Sequence, residues 1–282
     1  MKYLFKEWSE WKKKLTDNFL LLYIDFDGTL VPIEKDPSKV QLSLRTKNIL
    51  RRLALASHVE LAIVSGRSHS DIQNKVRIKE IVYVGNHGIE LKGPKIKFES
   101  TLPQDYRKIL TRLKKELEEK LSAIHGVLIE DKGLSLSIHY RRVPKKHMAD
   151  VKTIVHETTI VESIKDKIRK HSGKMVIEIR PPIPWDKGKI ILWLLARQKV
   201  LLKHDEILPV YIGDDQTDED AFKMIRPRGL SIFVGSPHKK SLAQYYLKNP
   251  LDVRTFLKRV LDIQDTRKEN IIEEISACIN SQ

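Results

Sequence analysis

Apolar and polar positions follow two different rhythms along this chain. Residues 19–24 are six apolar or aromatic residues in a row, which predicts a strand buried on both faces, as in a parallel sheet. Similar runs at 59–64, 81–84, 207–212 and 231–234 predict further strands of the same kind. Helical spacing falls between and after them, over 42–56, from about residue 70, over 187–200, and in two terminal helices over 243–263 and 270–279. Strand, glycine-bearing polar loop, helix, strand is the βαβ rhythm of an α/β fold.

The middle of the chain reads differently. Residues 106–124 predict one long charged helix and 126–130 a short strand. Leu134, Leu136, Ile138 and Tyr140 then alternate with Ser135, Ser137, His139 and Arg141. A helical stretch over 145–170 leads to a second alternation, Met175, Ile177 and Ile179 against Val176, Glu178 and Arg180. Alternation with period two predicts an antiparallel sheet with one face packed and the other open. The change of rhythm, closed by Pro181-Pro182-Ile183-Pro184, marks domain boundaries near 104 and 184. The expectation is a core built from 1–103 and 185–282, interrupted by an inserted α+β module over 104–184.

Composition narrows the function classes. With 41% hydrophobic and 32% charged residues, the 282-residue chain is of ordinary globular type. Its net charge of +15 suits anionic partners such as phosphorylated metabolites. The basic pairs are scattered through helix-like segments mixed with acids, and no basic stripe interleaved with aromatics suggests nucleic acid. One cysteine, Cys278, rules out an intrachain disulfide. No apolar run approaches the ~20 residues of a membrane span, and residues 1–14 lack a signal-type apolar region. A cytoplasmic protein with no membrane partner is expected.

Candidate chemistry gathers at predicted strand ends. Asp25 and Asp27 end the first strand on one side of it, followed by Gly28, which lets the backbone turn sharply. Open α/β sheets hold ligands at that edge. Two carboxylates so close repel unless a cation such as Mg²⁺ lies between them. Ser65 and Arg67 follow the second strand, Lys187 opens a helix, and Asp214, Asp215 and Asp218 follow a later strand. An aspartate can attack phosphorus to give an aspartyl-phosphate, and a second carboxyl two residues on can protonate the leaving alcohol and deprotonate water. Each fragment alone also reads as a surface turn, a solvated helix start or a surface lysine; their order along the chain carries the weight.

Asp25-Phe26-Asp27-Gly28-Thr29-Leu30, Ser65-Gly66-Arg67, Lys187 and Gly213-Asp214-Asp215-Gln216-Thr217-Asp218 resemble the four motifs of haloacid dehalogenase-superfamily phosphatases. The resemblance implies a Rossmann-like parallel-sheet core with an inserted cap. It implies Asp25 as nucleophile and Asp27 as general acid/base. Mg²⁺ would be bound by Asp25, Asp214 and the Asp27 carbonyl, supported by Asp215 and Asp218. Ser65 and Lys187 would hold the phosphoryl group.

Gly85-Asn86-His87-Gly88, Glu130-Asp131-Lys132-Gly133, His139-Tyr140-Arg141 and Val176-Ile177-Glu178-Ile179 narrow the resemblance to the trehalose-6-phosphate phosphatase family, over residues 20–261. That implies hydrolysis of trehalose 6-phosphate, with functional coupling to a trehalose-phosphate synthase. Glu130, Lys132, Arg141 and Glu178, together with Arg67, would contact substrate. Against this stands a plainer reading in which Glu130–Arg141 and Lys132–Glu178 are ion pairs, and His87 either meets the cap or bonds within its loop. Rival functions are a phosphatase for sucrose 6-phosphate or a glucosyl-phosphoglycerate, or a basic nucleic-acid-binding protein on an inactive phosphatase fold.

Overall fold

The computed structural model describes residues 1–34, 36–94, 96–202, 206–237 and 240–280; side chains at 271, 274, 275 and 277–280, Cys278 among them, lie outside the described set. In chain order the elements are β1 (Lys2–Tyr3), α1 (Trp8–Asp17), β2 (Phe19–Ile24), α2 (Leu44–Ala54), β3 (Val59–Val64), α3 (His69–Val76), β4 (Val82–Gly85), β5 (Glu90–Gly93) and β6 (Ile96–Glu99). Then come α4 (Tyr106–Leu121), β7 (Leu128–Asp131), β8 (Leu136–His139), α5 (Met148–Ile164), β9 (Arg169–Gly173) and β10 (Val176–Arg180). The chain closes with α6 (Lys187–Leu202), β11 (Ile207–Gly213), α7 (Glu219–Ile225), β12 (Leu230–Val234), β13 (Tyr245–Leu247) and α8 (Pro250–Asn280).

Nine strands form one sheet in the order β1-β13-β12-β11-β2-β3-β4-β5-β6. It is parallel from β1 to β4 and antiparallel at β5 and β6. The unbroken apolar run of β2 has a direct cause. Leu20, Leu22 and Ile24 enter one core with α2, α3 and α8, while Leu21 and Tyr23 enter the other with α6 and α7. From β2 the chain steps outward through β3 and β4 on one side, and from β11 through β12 and β13 on the other. The crevice beyond the carboxyl ends of β2 and β11 is therefore the topological switch point, where open sheets bind ligands.

The second sheet, β7-β8-β10-β9, is antiparallel throughout. Leu136, Ile138, Ile177 and Ile179 pack against α4 and α5 in a separate apolar core. The expectation that its other face is open fails. Ser135, Ser137 and Glu178 are buried, because that face lies against the large sheet's ligand edge: Ser135 donates to Asn86 and Lys132 to the Gly66 carbonyl across the gap, while Ser137 donates to Glu178 within the sheet.

Three element expectations need correction. Residues 165–170 are not helical: α5 stops at Ile164 and the polar segment Arg169–Gly173 is an edge strand, held by backbone pairing to β10 that no side-chain alternation announces. The 243–263 helix is a short strand, β13, followed by α8, whose start Asn249 caps by accepting from the Leu251 and Asp252 amides. The two terminal helices are one, since α8 runs unbroken to Asn280. The hairpin β5–β6, absent from the sequence reading, extends the sheet beyond β4.

Candidate active site

Register sets the geometry. Ile24 of β2 pairs with Ile212 of β11 and Ile63 of β3, so Asp25, Asp214 and Ser65 leave adjacent strands within a residue or two of each other. Gly28 turns the loop with φ +86°, and a Cβ there would fall 2.3 Å from Asp214 Oδ2. The turn needs glycine both for its dihedral and because Asp214 occupies the space.

Lys187, at the first turn of α6, is buried and donates to Asp25 Oδ1 and Asp218 Oδ1, both at 2.8 Å. Asp218 is fully engaged. Its Oδ1 also accepts from Tyr211 Oη at 2.6 Å, and its Oδ2 accepts from the amides of Asp214 and Asp215 at 2.9 and 3.0 Å. Asp215 accepts from the Thr217 amide and hydroxyl and closes a capping box with Asp218. Asp218 and Asp215 thus fix the loop that presents Asp214.

Carboxylate oxygens of Asp25, Asp214 and Asp218 lie within 4.8 Å of one another, all buried. Burial pushes the Asp25 carboxyl well above its usual range against the pull of Lys187. Asp214 rises to about 7, through burial and then the Asp218 charge, while Lys174 pulls it back. A hard, all-oxygen donor set whose charges resist crowding suits a divalent cation such as Mg²⁺. Asp27 stands apart from this cluster. Its half-buried carboxylate takes two bonds from buried Arg67, Nε to Oδ2 at 2.6 Å and Nη2 to Oδ1 at 2.8 Å. Arg67 also binds Asp71 and the Pro37 carbonyl. The buried Ser65 hydroxyl accepts from the Arg67 amide and lines the cleft.

The second sheet closes over this edge. Lys132 Nζ donates to Glu178 Oε1 at 2.8 Å and reaches the Gly66 carbonyl at 3.0 Å. Glu178 further accepts from the Ser137 hydroxyl and from Arg180. His87 Nε2 lies 2.9 Å from Glu178 Oε2, an ion-pair contact without hydrogen-bond alignment, and neither buried ring nitrogen has a hydrogen-bond partner among the described residues. Glu130 pairs with His139 at 2.9 Å, not with Arg141. Arg141 is exposed and donates to the Lys174 carbonyl at 2.7 Å. Of the two ion pairs in the plainer reading, Lys132–Glu178 is present and Glu130–Arg141 is not. All five expected substrate-contacting residues, Arg67, Glu130, Lys132, Arg141 and Glu178, line the same cleft as Asp25, Asp27, Ser65, Lys187 and Asp214.

Lys174 and Arg180 are among the cleft residues that escaped the sequence reading. Lys174 sits in the turn between β9 and β10, with Nζ 3.1 Å from Asp214 Oδ2. Finding it requires knowing that β9 is a strand. Arg180 shares a polar register with Glu178, and that alternation was its only signal.

A family profile described as trehalose-phosphatase matches residues 23–250. Trehalose-phosphate phosphatase B of Arabidopsis thaliana is 36% identical over 254 residues, 86% of this chain and 66% of that protein. Trehalose 6-phosphate phosphatase RA3 of Zea mays is 32% identical over 270 residues, 88% of this chain and 72% of that one. The chain thus spans about two thirds to three quarters of the length of these relatives. The fold is similar to that of the C. albicans trehalose-6-phosphate phosphatase C-terminal domain, with a TM-score of 0.78 at 23% identity, over 90% of this chain and 97% of that one. The motifs, the strand order and these matches converge, and the chain belongs to the trehalose-phosphatase family.

Proposed function

We propose that this protein hydrolyses trehalose 6-phosphate to trehalose and phosphate through an aspartyl-phosphate on Asp25. The observation that carries the reading is Lys187, which bridges Asp25 and Asp218 beside Asp214 at the switch point, under a second sheet rich in charged side chains. A buried lysine on a carboxylate holds it in place for attack and opposes the burial that disfavours its charge, and its remaining donor can take a phosphoryl oxygen. Ser65 supplies a second such donor.

Asp27, entering the step protonated, gives its proton to the leaving sugar oxygen and then takes one from water, with Arg67 orienting its carboxyl group. Mg²⁺ on Asp25, Asp214 and the Asp27 carbonyl would supply charge compensation between carboxylate and phosphate dianion. Asp215 and Asp218 support that site by fixing the Asp214 loop. The module over 104–184 acts as a cap on the core of 1–103 and 185–282, with Glu130, Lys132, Arg141 and Glu178 bonding sugar hydroxyls. Among the described residues no helix is long and apolar enough to cross a membrane. The reading is completed by a cytoplasmic location and a synthase that supplies the substrate.

The test is phosphate release from a panel of sugar phosphates with Mg²⁺, with EDTA, and with EDTA followed by excess Mg²⁺. Hydrolysis should favour trehalose 6-phosphate, stop with EDTA and return with Mg²⁺. Preference for sucrose 6-phosphate or a glucosyl-phosphoglycerate would redirect the substrate assignment, and full activity after exhaustive chelation would exclude the metal.

A further inference from the structure

Asp214 is contacted by a cation from the opposite module. Lys174, in the turn between β9 and β10, places Nζ 3.1 Å from Asp214 Oδ2 and 3.5 Å from the Asp214 carbonyl. Among the described residues no other side chain forms an ion pair with Asp214; Lys187 is directed to Asp25 and Asp218. The turn is built to aim this lysine. Met175 adopts a left-handed φ of +66°, and Arg141 donates to the Lys174 carbonyl from β8's side of the sheet. The Lys174 side chain is itself 59% exposed, so its ion pair adds little to folding stability. The Gly28 turn bounds the Asp214 carboxylate on one side, where a Cβ would fall 2.3 Å from Oδ2, and Asp214's own amide is tied to Asp218.

We propose that Lys174 is a cap-borne counter-ion for Asp214 that competes with the divalent cation, so that metal binding and docking of the β9–β10 turn oppose each other. An ammonium group and a divalent ion on the same carboxylate oxygen repel at close range. Binding of the ion therefore releases the turn, and an arriving phosphate dianion, by lowering the local positive charge, lets it return. This rests on the metal site proposed above. Linkage makes the effect reciprocal: whatever factor the docked lysine costs the ion, the ion costs the docked lysine.

The test is calorimetric titration of Mg²⁺ into the chelator-treated full chain, without substrate. Lys174→Gln should bind Mg²⁺ about fivefold or more tightly than the unaltered protein, the lower end of ordinary site–site coupling. Lys174→Arg, which keeps the charge and the reach, should stay near the unaltered affinity. Amide hydrogen exchange over 169–180 should speed up with Mg²⁺ in the unaltered protein, and be fast and Mg²⁺-insensitive in Lys174→Gln. Equal or weaker Mg²⁺ binding by Lys174→Gln overturns this inference alone. Loss of measurable Mg²⁺ binding in every protein overturns the metal site and this inference with it.

Discussion

Arg67 grips both carboxylate oxygens of Asp27, at 2.6 and 2.8 Å, and is itself anchored by Asp71 and the Pro37 carbonyl. A planar, two-pronged grip fixes the orientation of Asp27 as well as its charge. Arg67→Lys keeps the charge and loses the fork. The loss in kcat should therefore grow with the leaving group's need for a proton: about tenfold to a hundredfold for an alkyl phosphate, and far less for a dinitrophenyl phosphate. Equal losses on both would show that Arg67 acts on the phosphoryl group and not through Asp27.

Lys187 carries a structural burden besides its proposed chemical one. It is buried, with two buried carboxylates as its partners. Lys187→Met leaves both uncompensated, which should cost about 3–5 kcal/mol of stability in EDTA. Excess Mg²⁺ should restore part of that stability and none of the activity. Chemical denaturation with and without Mg²⁺, beside phosphate release, separates the two effects.

The cleft carboxylates Glu130 and Glu178 should respond differently to removal. Glu130 is half-buried and bonds only His139 among the described side chains, so Glu130→Ala should lower kcat/KM for trehalose 6-phosphate about tenfold to a hundredfold and spare a small aryl phosphate. Glu178 is buried with Lys132, Arg180, Ser137 and His87 around it. Glu178→Ala should also loosen the module, read as faster hydrogen exchange along β8 and β10, and should reduce turnover of both substrates. If Glu178→Ala matched Glu130→Ala in sparing the aryl phosphate, the network's role in docking the module would be refuted.

His87 gives the stability a pH dependence. Burial lowers its pKa from 6.5 to about 4, so the folded protein keeps the ring neutral where the unfolded chain would protonate it. Between those values the unfolded state binds more protons. Stability from this group is therefore complete above about 6.5 and is lost as pH falls toward about 4, by up to roughly 3 kcal/mol. Asp25 and Asp214, with raised pKa values, act in the opposite sense. The contribution must accordingly be read as the difference between the unaltered protein and His87→Gln, in urea titrations at pH 7.5, 6 and 5. A difference that does not shrink with falling pH would exclude it.

The parallel core was legible because each buried strand feeds two apolar layers: no polar residue interrupts β2, and its short length between polar and glycine-bearing segments marks it as a strand. The acidic motifs were legible because they end such strands. The second sheet's polar face was misjudged, since Ser135 and Ser137 look solvent-facing until a partner surface with Asn86 is set opposite them. β9 was hidden because an edge strand of Arg169, Lys170, His171, Ser172 and Gly173 owes its form to main-chain bonds with β10. Lys174 was hidden with it. Arg67's role toward Asp27 was out of reach as well, because residues 40 apart in sequence meet only through strand register.

The pairing of β2 has a consequence for biosynthesis. One of its neighbours, β3, follows within the next forty residues, but the other, β11, begins at Ile207. At ribosomal speeds of about 5–20 residues per second, the intervening segment takes on the order of 10–40 s to emerge. The second core, drawn from the contiguous stretch Tyr106–Ile179, is synthesised whole within that interval. For that time the nascent chain carries the Leu20–Ile24 edge without its partner, and this window is where a chaperone that shields apolar strands would act.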